Sequence, residues 1–86
     1  MGKKVRLSTG VVRFFHPQKR YGFLRSDEGE IFFHLRDGRS MTQRKEGAPE
    51  FKRAREKRIP KSGDSLIFMR KLKHRGYQAT PWAFSK

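Results

Sequence analysis

Residues 19–35, with the sequence KRYGFLRSDEGEIFFHL, carry the clearest structural signal in this chain of 86 residues. Two stretches rich in aromatic and aliphatic residues, Tyr21–Ser26 and Glu30–Leu35, lie on either side of the polar turn Asp27–Gly29. Such stretches predict β-strands, and a connection this short predicts that they pair as an antiparallel hairpin. The two faces of this hairpin can be assigned at once, because the side chains of a strand point alternately to opposite faces.

The two faces of the hairpin differ in chemistry. The apolar face carries Leu24, Ile31, Phe33 and Leu35, and we expect it to pack in a core. The other face carries aromatic rings, an imidazole and a cation on either side, from Tyr21, Phe23, Phe32, His34, Lys19 and Arg25. Rings turned to water are unfavourable unless a flat ligand stacks on them, and nucleic-acid bases stack with about 1–3 kcal/mol each.

Three further strands are predicted outside the hairpin. Gly10–Phe15 is β-branched and aromatic and ends before Pro17, Ser65–Lys71 follows a Ser-Gly-Asp turn, and Tyr77–Phe84 follows Gly76. Five short strands without a long helical pattern predict a small barrel, since closing a sheet removes its exposed edges. The chain is therefore expected to form one all-β domain over residues 8–86, preceded by a basic extension over residues 1–7.

A long basic insertion over residues 36–62 interrupts the strands. It carries ten Lys or Arg residues and four acidic residues, a net charge of +6, and Phe51 is its one aromatic residue. Loops of this length are usually functional or disordered. Pro49–Ile59 could form a short helix that begins at its proline, but short isolated helices are marginal, so a mobile basic arm that contacts phosphates is favoured.

The composition excludes several classes of function. There are 22 Lys and Arg residues against 8 acidic residues and no cysteine, which gives a net charge of +14. The three histidines have no metal-ligand spacing, and no carboxylates are paired in a catalytic arrangement. We therefore expect no enzyme activity, metal, cofactor or small-molecule substrate. No apolar segment is long enough for a membrane span or a secretory signal, so a soluble, cytoplasmic monomer is expected.

Several segments resemble the cold-shock domain family. Lys19–Leu24 is similar to the first ribonucleoprotein motif of that family, and Ile31–Leu35 is similar to the second. Gly10–His16 resembles its first strand, and Gly63–Phe68 and Arg75–Ala79 resemble its last two strands. The resemblance implies a five-stranded antiparallel oligonucleotide-binding (OB-fold) barrel, with a long loop between its third and fourth strands. It also implies a nucleic-acid chaperone that holds single-stranded RNA or DNA on the aromatic face.

The face assignment and the resemblance together give a set of predicted nucleic-acid-binding residues, namely Arg13, Phe14, Phe15, Lys19, Tyr21, Phe23, Arg25, Phe32, His34 and Arg75. The sequence departs from the family pattern at four positions. Phe14 stands where the family usually has Trp, Arg20 where it has Gly, Leu35 where it has Phe, and Tyr77 where it has Pro. A single-strand platform is still implied, with one fewer stacking partner.

Three other functions were weighed against this one. A charge-driven structural RNA-associated protein of the ribosomal type, or a protein held at a membrane surface by charge, would use the basic arm but leave the aromatic face unexplained. An RNA-recognition-motif fold places its second ribonucleoprotein motif before its first, which is the reverse of the order here. A nuclease is disfavoured because no acid–base or metal-binding geometry is evident. A preference for single strands over duplex separates the first function from the charge-driven alternatives.

Overall fold

The structure is a computed structural model that describes residues 7–42, 50–53, 58–74 and 76–85. Its described part is all-β except for one 3-10 turn at Leu35–Asp37. The seven strands are β1 (Ser8–His16), β2 (Tyr21–Ser26), β3 (Gly29–His34), β4 (Ser40–Thr42), β5 (Glu50–Lys52), β6 (Ser65–Lys73) and β7 (Gly76–Phe84). Five of them close a barrel in the order β1-β2-β3-β7-β6, which is consistent with an OB-fold-like barrel.

All five predicted barrel strands are confirmed, but the expectation of a wholly antiparallel barrel is wrong. Strand β3 pairs with β7 in parallel, whereas the other four barrel pairs are antiparallel. The reason is geometric. Direction must alternate around an antiparallel ring, and a ring of five strands cannot alternate throughout, so closure requires one parallel pair.

A β-bulge in β1 sets the faces of the first strand. The register with β2 shifts between Val12 and Phe14, so that Val12 pairs with Leu24 and Phe14 pairs with Phe23. Arg13 is the extra residue, and such a residue reverses the alternation that follows it. A Cβ on Gly22 would lie 2.4 Å from the Phe14 carbonyl oxygen, so the close approach of β1 to β2 requires glycine there.

The barrel interior contains the residues that the apolar face predicted. Leu24, Ile31, Phe33 and Leu35 are all buried, which confirms their assignment to the core. They pack with side chains from the other barrel strands, namely Val12, Leu66, Phe68, Ala79 and Trp82. Within the described part of the chain, no buried side-chain nitrogen or oxygen lacks a hydrogen-bond partner. The core is therefore apolar and satisfied.

The described part of the insertion contains a short two-stranded β-ribbon. Ser40–Thr42 pairs with Glu50–Lys52, with Met41 opposite Phe51. The possible helix over Pro49–Ile59 is therefore wrong at Glu50–Lys52, while residues 49 and 54–57 lie outside the described residues. The physical reason is the apolar cross-strand pair, which a local helical pattern does not reveal.

Both ends of the insertion are anchored to β7. The backbone N–H of Arg39 donates to the Trp82 carbonyl at 2.8 Å. On the return, Arg58 stacks over the Phe84 ring at 4.1 Å, and Pro60 is fully buried. These contacts place the entry and exit of the insertion against the barrel, and they do not test the prediction that the arm between them is mobile. In the described ranges, no helix is long and apolar enough to cross a membrane.

Candidate functional site

A continuous group of rings lies on the outer surface of strands β1–β3, and we call it the aromatic strip. It consists of Phe14, His16, Tyr21, Phe23 and Phe32. Neighbouring ring centroids in the strip are 5.5–6.3 Å apart. These are ordinary distances for aromatic pairs, so each ring holds its neighbours in place. The strip is therefore a pre-arranged surface rather than a set of independent exposed side chains.

Strand register produces this arrangement. Phe14 pairs with Phe23, and Phe23 pairs with Phe32, which makes one row across three strands. His16 pairs with Tyr21, and Tyr21 pairs with His34, which makes the adjacent row. Directly paired residues share a face, so both rows point away from the core.

Exposure distinguishes the strip from the core. The Phe14 side chain is 45% exposed, and Tyr21, Phe23 and Phe32 are half-buried, whereas Phe33 is 0% exposed. The predicted outward orientation of Tyr21, Phe23 and Phe32 is therefore confirmed. An outer sheet surface with this much partly exposed aromatic area is a candidate binding surface.

The two histidines of the second row, His16 and His34, are oriented by hydrogen bonds from backbone N–H groups. His16 Nδ1 accepts from the Lys19 N–H at 3.3 Å, and His34 Nδ1 accepts from the Arg36 N–H at 3.1 Å. A neutral imidazole that accepts at Nδ1 carries its proton on Nε2. Each ring can therefore offer an Nε2–H donor beside Tyr21.

His16 was missed by the sequence reasoning, which treated it as the end of the first strand. The signal was present, because His16 is two residues after Phe14 and strand residues at that spacing share a face. Its ring lies 5.9 Å from that of Tyr21 at an interplanar angle of 26°, which is a stacked arrangement. The strip therefore extends to the end of β1.

Cations flank the aromatic strip, and their surroundings differ. Arg13 pairs with Glu30 at 3.0 Å, and both side chains are about half exposed at 52% and 51%. Lys19 and Arg25 are exposed and make no ion pair with any carboxylate of the described residues. Lys19 and Arg25 are thus the flanking cations whose charge is available to an anionic ligand.

One aromatic residue of the predicted site, Phe15, does not join the strip. Phe15 follows the bulge and faces the opposite side, where its ring packs at 6.0 Å from the core residue Phe33. It supports the barrel wall rather than the outer surface. Arg75 lies outside the described residues, so its prediction is not tested.

Strand β7 adds a residue that the sequence reasoning did not find. Gln78 pairs directly with Phe32, and its amide N–H donates to the Asp37 carboxylate at 3.0 Å. Because a carboxylate only accepts, this bond leaves the amide oxygen of Gln78 free to accept from a ligand. The pairing of β3 with β7 could not be inferred from residues 46 positions apart.

The described residues contain no group of three or more His, Asp or Glu side chains that could hold a metal ion. The arrangement instead offers stacking surfaces, imidazole N–H donors and flanking cations. No protein-family model matches the chain, and no curated protein matches it. The geometry of the site therefore carries the functional argument.

Proposed function

We propose that this protein binds single-stranded nucleic acid, RNA or DNA, on the aromatic strip. The observation that carries the proposal is the pair of registered rows of rings on the outside of the barrel. Unpaired bases are flat and apolar on their faces, and the strand that joins them is anionic. A row of rings with cations at its margins complements both properties.

The energetics favour an unpaired strand. Stacking of a base on an aromatic side chain contributes about 1–3 kcal/mol, and it requires the face of the base to be accessible. In a duplex the faces are covered by neighbouring base pairs, so the strip has nothing to stack on. Phosphate contacts add a term that does not depend on sequence, and the net charge of +14 makes that term large.

A preference for unpaired strands would make the protein a nucleic-acid chaperone by mass action. A ligand that binds one of two states stabilises that state by RT ln(1 + [L]/Kd), which is about 2.7 kcal/mol at one hundred times Kd. Hairpins whose folding free energy is smaller than this amount would open without any chemical step. The mechanism requires a binding surface and no catalytic residue.

The resemblance to cold-shock domains supports the same proposal. The two ribonucleoprotein-like segments form adjacent strands β2 and β3, and their aromatic residues lie on the outer face. The departure at residue 14 keeps a ring in the strip, since Phe14 lies 5.6 Å from Phe23. We therefore propose that the barrel acts as a cold-shock-type domain.

Fluorescence anisotropy with labelled oligonucleotides tests the proposed function. An eight-nucleotide single strand and a matched duplex are titrated with the wild type, Phe23→Ala and Tyr77→Ala. Tyr77 is the matched control, because it is an aromatic residue that is 52% exposed but lies away from the strip. We expect Phe23→Ala to weaken single-strand binding about 5- to 150-fold, and Tyr77→Ala to leave it unchanged.

Two outcomes would contradict the proposal. If the duplex binds as tightly as the single strand and Phe23→Ala is neutral, the protein is a charge-driven RNA-associated protein. If Phe23→Ala and Tyr77→Ala weaken binding equally, the strip is not the binding surface.

A further inference from the structure

The row that contains Phe14, Phe23 and Phe32 continues past β3. Phe32 pairs with Gln78 of β7, and Gln78 pairs with Lys71 of β6. Because paired residues share a face, the Lys71 side chain lies on the same outer surface as the aromatic strip. The row therefore crosses all five strands of the barrel and ends in an exposed lysine.

Lys71 differs from the arginine beside it. Arg70 pairs with Glu28, and its guanidinium lies 5.2 Å from the centroid of the Tyr77 ring. The hydrogen bond with Glu28 raises the pKa of Arg70, so this cation is already matched by an anion. Lys71 has no ion pair with any carboxylate in the described ranges. Lys71 is therefore an available cation at this end of the row.

The spacing suits a nucleic-acid strand. Neighbouring strands of a sheet are about 4.8 Å apart, so Lys71 lies about 10 Å beyond Phe32 across the sheet. The rings of this row are 5.6 and 5.8 Å apart, so a strand that places one base on each ring reaches Lys71 about two nucleotides beyond Phe32. A lysine presents a point charge on a flexible stem, which suits a phosphate rather than a base edge.

We propose that Lys71 binds a backbone phosphate of the single strand after it leaves the aromatic strip, so that the bound strand crosses from β1 to β6. This inference rests on the proposed function and lengthens its site across β7. Because phosphate contacts position a strand and do not read its bases, Lys71 contributes affinity and salt dependence without changing base preference.

The first test compares Lys71→Gln with Lys73→Gln on a thymidine octanucleotide. Lys73 is the matched control, because it is exposed, lies on the same strand and pairs with Gly76 beyond the residues of β7 that contact β3. Loss of one phosphate contact makes the slope of log K against log salt shallower by about 0.7. At 0.15 M salt, loss of the same contact should weaken binding about fourfold. We expect both changes for Lys71→Gln and neither for Lys73→Gln.

The second test locates the phosphate. Each phosphate of the octanucleotide is replaced in turn by an uncharged methylphosphonate, and every oligonucleotide is titrated with wild type and Lys71→Gln. We expect one position at which the replacement weakens binding to the wild type but not to the variant, which is the coupling that direct contact produces.

The outcomes separate this inference from the function on which it rests. Equal losses for Lys71→Gln and Lys73→Gln, or the absence of a coupled phosphate, would overturn the Lys71 contact while leaving single-strand binding in place. Failure of the wild type to bind the octanucleotide would refute both proposals.

Discussion

Phe32 and Phe33 are adjacent residues of the same type that the structure assigns to opposite roles. Phe32 lies in the aromatic strip, 5.5 Å from Tyr21 and 5.8 Å from Phe23. Phe33 is 0% exposed, and its ring lies 5.3 Å from Trp82 in the core. Replacing each with alanine removes the same atoms, so the pair tests directly whether the faces have been assigned correctly.

The expected loss of folding free energy is larger for Phe33→Ala than for Phe32→Ala. Phe33→Ala removes a fully buried ring, and such changes cost about 3–5 kcal/mol of folding free energy. A domain of this size has a stability of about 4–13 kcal/mol, so this loss is a large fraction of the whole. Phe32→Ala removes two ring contacts of about 0.5–1.5 kcal/mol each, for a loss of about 1–3 kcal/mol. Its melting temperature should fall by about 4–24 °C.

Binding should show the opposite order of importance. Phe32→Ala removes one stacking surface, which is worth about 1–3 kcal/mol, and should weaken single-strand binding about 5- to 150-fold. Circular dichroism melts measure the folding loss, and anisotropy titrations well below the variant's midpoint measure the binding loss. The face assignment would be refuted if Phe32→Ala unfolded as readily as Phe33→Ala, or if it bound the strand as tightly as the wild type.

Three further predictions concern the backbone and the insertion. Arg20 has a φ of 62°, a conformation that costs a non-glycine residue about 1–2 kcal/mol. Arg20→Gly should therefore raise the free energy of unfolding, measured in urea, by up to about 1 kcal/mol. A similar gain in Arg20→Ala would contradict this explanation. Gly22→Ala should lower the free energy of unfolding by about 3 kcal/mol in the same assay, because the new Cβ would lie 2.4 Å from the Phe14 carbonyl oxygen. An unchanged urea midpoint would disprove this close approach. Replacing residues 40–57, which carry a net charge of +3, with a short Gly/Ser linker should leave the barrel folded and base preference unchanged. If this segment contacts about three phosphates, the slope of log K against log salt should become shallower by about 2, whereas an unchanged slope would mean that it makes no phosphate contact.

The hairpin formed by the two ribonucleoprotein-like segments was predictable from sequence, because the residues that determine it are close together in the chain. A short polar turn sets the pairing, and the period of two in a strand sorts the side chains, so Leu24 and Ile31 were assigned inward and Tyr21 and Phe23 outward. The structure confirms all four assignments. The number of barrel strands was also predictable, since each strand is a short run bounded by turn residues.

The first strand shows where local reasoning ends. Counting alternately from the buried Val12 would turn Phe14 inward and Phe15 outward, but the bulge at Arg13 reverses both. A bulge depends on how β1 fits against β2, and here Gly22 lets the two backbones approach. The resemblance to a family placed Phe14 correctly, whereas alternation alone would not have done so.

The positions of the strands, and the apolar or aromatic character of each face of the central hairpin, follow from the sequence, because those properties depend on neighbours a few positions apart. The way in which the strands meet follows from the closed fold alone. A ring of five strands must contain one parallel pair, and that pair joins Phe32 to Gln78, 46 positions later in the chain. Lys71 reaches the end of the aromatic row because it pairs with the same Gln78, in the antiparallel pair of β6 with β7. Contacts of this kind depend on closure of the whole barrel, which no local pattern of residues specifies.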